Sequence, residues 1–372
     1  MNHLQLAFGN LKRRPARSIL TVMGVALAVG SFITLYGLSR SVQENVQQSF
    51  EERGTDLTVR RRGIAEPFGG NMPQAVIQEI AKIPAVEAVS GQLLSFAASD
   101  NDDHVLAFGW AADSFYWPEV PLLEGRIPAP GERKVALLGK DIAQTLKKRL
   151  GDDITLIGEK LHIIGITNYS SIINRNAVLV ELADLQEVTF RTGAVTYISV
   201  RLQHPITPEE TDRVSQAIET LGDLTVTKSE NVMRNDSLLG LLNAVATSMA
   251  WVALLMGVLM VLNTLLMAVL ERTREIGILS AIGWSKERIM GALVIEGFIL
   301  SALGSAAGIV IGIAGSRLLS AIPAIGRYVA VEPTLPLMAV TALAAIALGI
   351  LGSFYPAWLA TRQSPAAALE RA

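Results

Sequence analysis

ERTREIGILSAIGWSKERI, residues 271–289, lies between two long apolar stretches and carries seven charged residues among its nineteen. The 33 residues before it, Leu238 to Leu270, have no charge, and Ile289 to Ser316 after it have only Glu296. A hydrocarbon core about 30 Å thick needs about 20 apolar residues as a helix. Both neighbours therefore read as membrane spans, and the quoted stretch as the polar connection between them. Working outward, Ile19 to Leu38 and Leu337 to Thr361 are also uncharged and complete a set of four spans. The first is read as a retained span, because its apolar run is longer than a cleaved signal and no small-residue cleavage site follows.

Half of the 372 residues are hydrophobic, 18% are charged and the mean hydropathy is positive, which is too apolar for an ordinary soluble chain. A formal net charge of −2 gives no ground for a nucleic-acid or polyanionic partner. The absence of cysteine excludes disulfides, thiolate metal sites and cysteine nucleophiles, and is compatible with the oxidising side of a membrane.

Lys and Arg near the span ends set the orientation. Lys12, Arg13, Arg14, Arg17, Arg272, Arg274, Lys286, Arg288, Arg362 and Arg371 flank one side. Only Arg40, Arg53, Lys228, Arg234, Arg317 and Arg327 flank the other. Both termini and the quoted stretch are expected in the cytoplasm, with the large segment between spans 1 and 2 outside. The expected division is residues 1–18 cytoplasmic, 19–38 span 1, 39–54 stalk, 55–236 extracytoplasmic domain and 237–270 span 2 with a stalk extension. It continues with 271–288 as a cytoplasmic connection, 289–316 span 3, 317–336 external loop, 337–361 span 4 and 362–372 cytoplasmic tail. The stalk follows from Val42, Val46 and Phe50 at four-residue spacing, and from the roughly 50 Å length of a 33-residue helix.

Runs rich in Val, Ile, Leu and Thr predict strands at 56–60, 86–97, 104–110, 134–138, 154–157, 161–166, 177–180, 196–202 and 224–227. Helices are predicted at 73–82, 140–150, 183–190 and 208–221, the last with Thr207 as N-cap and Pro208 at the first helical position. Strand, helix, strand at both ends of the segment predicts a four-stranded α+β unit from 56–98 and 196–228. A mostly β insertion over about 104–190 would interrupt it. Enzyme signatures are not visible: His3, His104, His162 and His204 lack metal-ligand spacing. GERKVALLGKD (131–141) lacks the upstream Gly and the following Ser or Thr of a phosphate-binding loop.

Gly304, Gly308 and Gly312 form a four-residue small-residue repeat in span 3, and Gly24 with Ala28 and Ala26 with Gly30 do so in span 1. Such repeats let helix backbones approach closely in lipid, within one protomer or between two. Glu296 lies two turns inside span 3, where a carboxylate is costly, and is either functional or within reach of Arg288 or water. One intramembrane carboxylate and no repeat of spans leave the chain without visible machinery to move a polar solute alone.

Within the quoted stretch, Ile276, Leu279 and Ile282 form an expected apolar stripe, with Arg272, Arg274 and Glu275 polar, Gly283 as the break and Ser285 as the next helix cap. Either this is a connector that satisfies charge topology, or it is a helix offering a ridge to a cytoplasmic partner.

The quoted stretch with IEGFILSALGSAAGIVIG after it, NLKRRPARSILTVMGVALAV (10–29), the 120–166 segment and PAWLATRQSPAAALE (356–370) together resemble the MacB/FtsX-type (type VII) ABC-transporter permeases over nearly the whole chain. The resemblance implies a membrane protein of four transmembrane helices with an α+β extracytoplasmic domain, porter-like with an inserted β-rich subdomain, on a helical stalk in the bacterial inner membrane. It implies a second permease protomer in a homodimer or pseudo-dimer, a separate ABC ATPase that binds ATP and Mg, and room for a periplasmic adaptor. No cofactor is expected in this chain, and it is not expected to be an enzyme. Arg272, Glu275, Ile276, Leu279 and Ile282 then fall in the helix that couples to the ATPase. The implied work is mechanotransmission that exports or extrudes a hydrophobic, amphiphilic or lipid-linked substrate. Two other readings stay open: an FtsX-like signalling permease that activates external cell-wall hydrolases, and a LolC/LolE-like lipoprotein-releasing permease. For the last, Phe32, Leu35, Leu38, Leu242 and Met249 could form a greasy cleft, or could equally face lipid or pack.

Overall fold

The structure, a computed structural model, describes residues 14–63, 70–99, 104–228, 237–322, 326, 329 and 331–362. Lys12, Arg13, Arg234, Arg327 and Arg371 of the topology count lie outside these residues, as do the side chains of Phe50 and Leu242. The chain forms two compact units, one from residues 1–41, 243–326 and 330–372, the other from 42–242 and 327–329.

In chain order, α1 (Pro15–Glu51) leads into an α/β segment. Its strands are β1 (Leu57–Arg61), β2 (Met72–Pro73), β3 (Val86–Ala98), β4 (His104–Trp110), β5 (Leu122–Gly125), β6 (Val135–Gly139), β7 (Asp153–Leu156), β8 (Glu159–Thr167), β9 (Ala177–Glu181), β10 (Ala194–Val195), β11 (Tyr197–Leu202) and β12 (Leu224–Lys228). Its helices are α2 (Val76–Ile80), α3 (Lys140–Leu146), α4 (Ile172–Arg175), α5 (Leu182–Val188) and α6 (Pro208–Glu219). The chain continues with α7 (Ser237–Glu271), α8 (Thr273–Ala281), α9 (Lys286–Ala321) and α10 (Leu335–Arg362). Among the described residues, α1, α7, α9 and α10 are long and apolar enough to cross a membrane.

The α/β unit is built on a ten-stranded sheet in the order β12-β1-β11-β3-β4-β9-β6-β8-β5, with β7 beside β8, and β2 pairs with β10 in a separate two-stranded sheet. The four strands expected of the porter-like part are its first four, and the strands of the insertion continue the same sheet. β3 joins the two halves: Val86 to Gln92 pair with β11, and Gln92 to Ala98 pair with β4. Side chains alternate between the two faces, as strand geometry requires. Val105, Ala107, Ala136, Leu138, Val178 and Val180 face one core, where Ile142, Leu185, Val214 and Ile218 of the helices pack. Leu106, Phe108, Trp110, Leu137 and Leu179 face a second core with Tyr116, Trp117 and Tyr169. Thr207 caps α6 with a full capping box to Glu210. α3 stops at Leu146, short of the expected residue 150, because Lys147 adopts the left-handed conformation that closes a helix C-terminus.

In the membrane unit the small residues of α9 receive α1. A methyl group on Gly304 would lie 2.5 Å from Val25 Cβ, one on Gly308 2.6 Å from Val29 Cβ, and one on Gly312 2.9 Å from Ile33 Cβ. The glycine repeat therefore works within one chain, where the absent side chains let the two helices touch by van der Waals contact. Thr21 and Thr264 share a hydroxyl hydrogen bond of 2.6 Å between α1 and α7, and the Ser39 hydroxyl contacts Asn243 Oδ1 at 2.9 Å.

Candidate functional site

At one end of the membrane unit, two sets of ion pairs stand just before α8: one joins the last residue of α7 to the start of α1, the other joins the N-cap of α8 to α9. Glu271 accepts two hydrogen bonds from Arg17, at 2.7 and 2.9 Å, and also pairs with Arg14. Arg272 turns back to Glu296 of α9 at 3.8 Å, with side chains 12% and 7% exposed. Glu296 is thus answered by Arg272, the N-cap residue of α8, while Arg288 lies over the Trp284 ring at 5.8 Å. Gly283, with φ of +92°, takes the turn that a side chain would strain, and the Ser285 hydroxyl accepts from the Arg288 N–H to open α9.

The outward face of α8 differs from the expected stripe. Ile276 packs against the core of Val269, Ile289, Leu293, Ala357 and Ala360, and Leu279 is half-buried. Ile282 is 69% exposed and Ile278 46%, with Glu275 exposed beside them. The reason is angular. Successive steps of three residues drift about 60° each at 100° per residue, so Ile276 and Ile282 lie about 120° apart. Glu275, Ile278 and Ile282, at steps of three and four, stay on one face. That spacing is the sequence signal for Ile278, and it competes with the more even run of Ile276, Leu279 and Ile282. Of the expected coupling residues, Glu275 and Ile282 therefore reach the surface, while Arg272 and Ile276 build the support beneath.

Of the residues expected to form a greasy cleft, Leu242 has its side chain outside the described residues, and the other four differ in their surroundings. Phe32 is buried, stacked on Tyr36 at 5.6 Å and edge-on to Trp251 at 5.7 Å. Leu35 packs beside the same core and Leu38 is half-buried, whereas Met249 is 57% exposed. The void lined by Val25, Ala28, Leu254, Gly257 and Ser301 among the helices is about 10 Å³. That is room for about one water.

A second junction lies where α1 ends in the α/β unit. Arg53 is 3% exposed, its guanidinium 4.0 Å above the Phe108 ring and 5.3 Å from that of Trp110. One nitrogen donates to Gln92 Oε1 at 3.3 Å and another donates to Asn174 Oδ1. The Glu52 carboxylate accepts from the N–H groups of Ser170 and Ser171 at 2.9 and 2.8 Å and from Asn174 Nδ2 at 3.1 Å. Ser49 adds a 2.8 Å contact to Asn174. Burial lowers the Arg53 pKa, against the charges of Tyr169, Tyr116 and Glu52, and burial raises that of Tyr169 to about 12. By its place in the sequence Arg53 is a flank charge. Its partners stand 39 and 121 residues away, beyond any local pattern.

The family model for the MacB-like periplasmic core domain matches residues 18–221, and that for the FtsX-like permease C-terminal matches 247–365. The chain belongs to the MacB/FtsX family of ABC-transporter permeases. A macrolide export ATP-binding/permease protein MacB of Marinobacter nauticus is 27% identical over 98% of this chain, which spans 60% of that protein. An uncharacterised ABC transporter permease of Methanocaldococcus jannaschii is 23% identical, with 97% of this chain and 96% of that protein aligned. The permease YknZ of Bacillus subtilis is 23% identical, with 87% and 88% aligned. Among solved structures, the periplasmic region of MacB from Actinobacillus actinomycetemcomitans aligns with 50% of this chain and 94% of its own at 12% identity and a TM-score of 0.41. The extracellular domain of YknZ aligns with 47% and 100% at 13% identity and 0.38. This family membership agrees with the four spans and the α/β domain described above.

Proposed function

We propose that this MacB/FtsX permease is the mechanotransmitting subunit of an ATP-driven transporter that exports or extrudes a hydrophobic, amphiphilic or lipid-linked substrate. The exposed ridge of Glu275, Ile278 and Ile282 on a helix whose N-cap pairs with α9, next to the pair that joins α7 to α1, carries the reading. An ABC ATPase subunit, loaded with ATP and Mg, docks on that ridge from the cytoplasm of a bacterial inner membrane, and the α/β domain stands on the other side. Alignment with proteins named as ABC transporter permeases supports the role of a permease served by an ABC ATPase. Two protomers act together, and α1 carries the motion to the junction at Arg53.

The test is the ATPase activity and co-purification of the complex reconstituted in nanodiscs. Ile278→Asp with Ile282→Asp is expected to abolish both, because an apolar ridge that must be desolvated in the interface would carry two charges. The double variant should keep the melting temperature of the free permease, since both side chains are exposed. Unchanged stimulation and unchanged co-purification would refute the docking role of α8.

A further inference from the structure

The glycine repeat that could have joined two protomers is occupied inside one, by Val25, Val29 and Ile33 of α1. What remains unpartnered on α7 is a different kind of surface. Met249, Val252, Met256, Leu259, Asn263 and Leu270 are all exposed and recur at alternating steps of three and four, completed by the half-buried Leu266. That is a heptad seam with Met249, Met256, Asn263 and Leu270 as one core position and Val252, Leu259 and Leu266 as the other. Lipid would cover the apolar members equally well. Asn263 breaks that equivalence.

Asn263 is exposed, and its amide has no hydrogen-bond partner among the described residues. It stands eight residues before Glu271, which its pairing with Arg14 and Arg17 marks as the polar end of the span. At 1.5 Å per residue the amide lies about 12 Å inside that end, within the hydrocarbon. Lipid tails supply neither donor nor acceptor. A carboxamide supplies both, so it can satisfy an identical group facing it across a two-fold axis. Two copies of one membrane chain share the same insertion, which makes their α7 helices parallel and brings equal heptad positions face to face.

We propose that Asn263 pairs with Asn263 of a second copy of this chain and sets the register of a parallel α7–α7 seam. The inference rests on the two-protomer reading above and adds to it the face, the register and the identity of the partner. A polar residue at one core position of a coiled coil fixes register in this way, at some cost in stability.

The chain has no cysteine, so single-cysteine variants of the full-length protein report only their own position. In native membranes under mild oxidation, Met256→Cys, Asn263→Cys and Leu270→Cys are expected to form covalent dimers. Val310→Cys on α9 and Leu343→Cys on α10, each 66% exposed, are expected to stay monomeric on gels. Adding Asn263→Leu to Met256→Cys should lower the dimer yield about three- to twentyfold, the range of interhelical polar contacts in membranes, and Asn263→Gln should restore it. The mass of the unmodified chain in nanodiscs separates the two claims. A dimer by mass that cross-links at Val310 or Leu343 keeps the two-protomer reading and overturns the seam. A dimer whose Met256→Cys yield ignores Asn263→Leu overturns the register role. A monomer by mass overturns both.

Discussion

Replacing Arg53 would remove a cation whose partners are all buried with it. Arg53→Ala leaves Gln92 Oε1 without its donor, takes from Asn174 Oδ1 one of its two donors, the Ser49 hydroxyl being the other, and leaves Phe108 without its facing charge. The expected loss is about 2–4 kcal/mol in the stability of the α/β domain, read by thermal proteolysis of the full chain. Arg53→Lys keeps the charge but cannot fork to Gln92 and Asn174 together, so it should recover only part of the loss. Tyr169 gives the same neighbourhood a pH dependence. Burial raises its pKa to about 12 from an unfolded value of about 10, so the folded state holds this proton more tightly. Its contribution is complete below about pH 10 and is lost as pH rises from about 10 to about 12. Tyr169→Phe should flatten that alkaline segment of the stability profile without changing the profile at neutral pH.

At the scale of elements, the contact between α1 and α9 depends on what glycine lacks. Gly308→Val would set a new side chain against Val29 and the Ala26 carbonyl and should cost about 1–3 kcal/mol or prevent assembly, seen as loss of monodisperse protein in detergent. Gly291, with nothing within 4 Å of an added methyl, should accept Ala and gain up to about 1 kcal/mol from helix propensity. The spans were legible because an uncharged apolar run of about twenty residues matches the thickness of a bilayer and exceeds what a soluble core asks of one helix. Thr207 and Ser285 were legible as caps because capping is a contact with residues three positions on. The exposed face of α8 was not, since a short helix leaves two overlapping stripes and only packing on Leu293 and Ala357 chooses between them. Which partner the glycines of α9 would meet was also closed to sequence, because spacing reports a close approach and not the chain that makes it.

For the whole molecule, the end of α1 and the α/β domain are expected to move as one piece. A short thiol-reactive linker between Asn45→Cys and Ile172→Cys would fix a contact that Asn45 and Ile172 already make, and should leave transport-coupled ATPase activity unchanged. Loss of activity would mean that α1 must slide against the domain during turnover. The sheet adds a further point. Gln92 is the one position of β3 whose backbone belongs to the ladders on both sides, so the two half-sheets meet across a neck a single residue wide. Arg53 grips that residue with one arm and reaches the far half, at Asn174, with the other. A twist of α1 would thus be delivered as torque at the narrowest part of the plate, and the plate would answer by changing its pitch about β3 more readily than by opening like a clamshell.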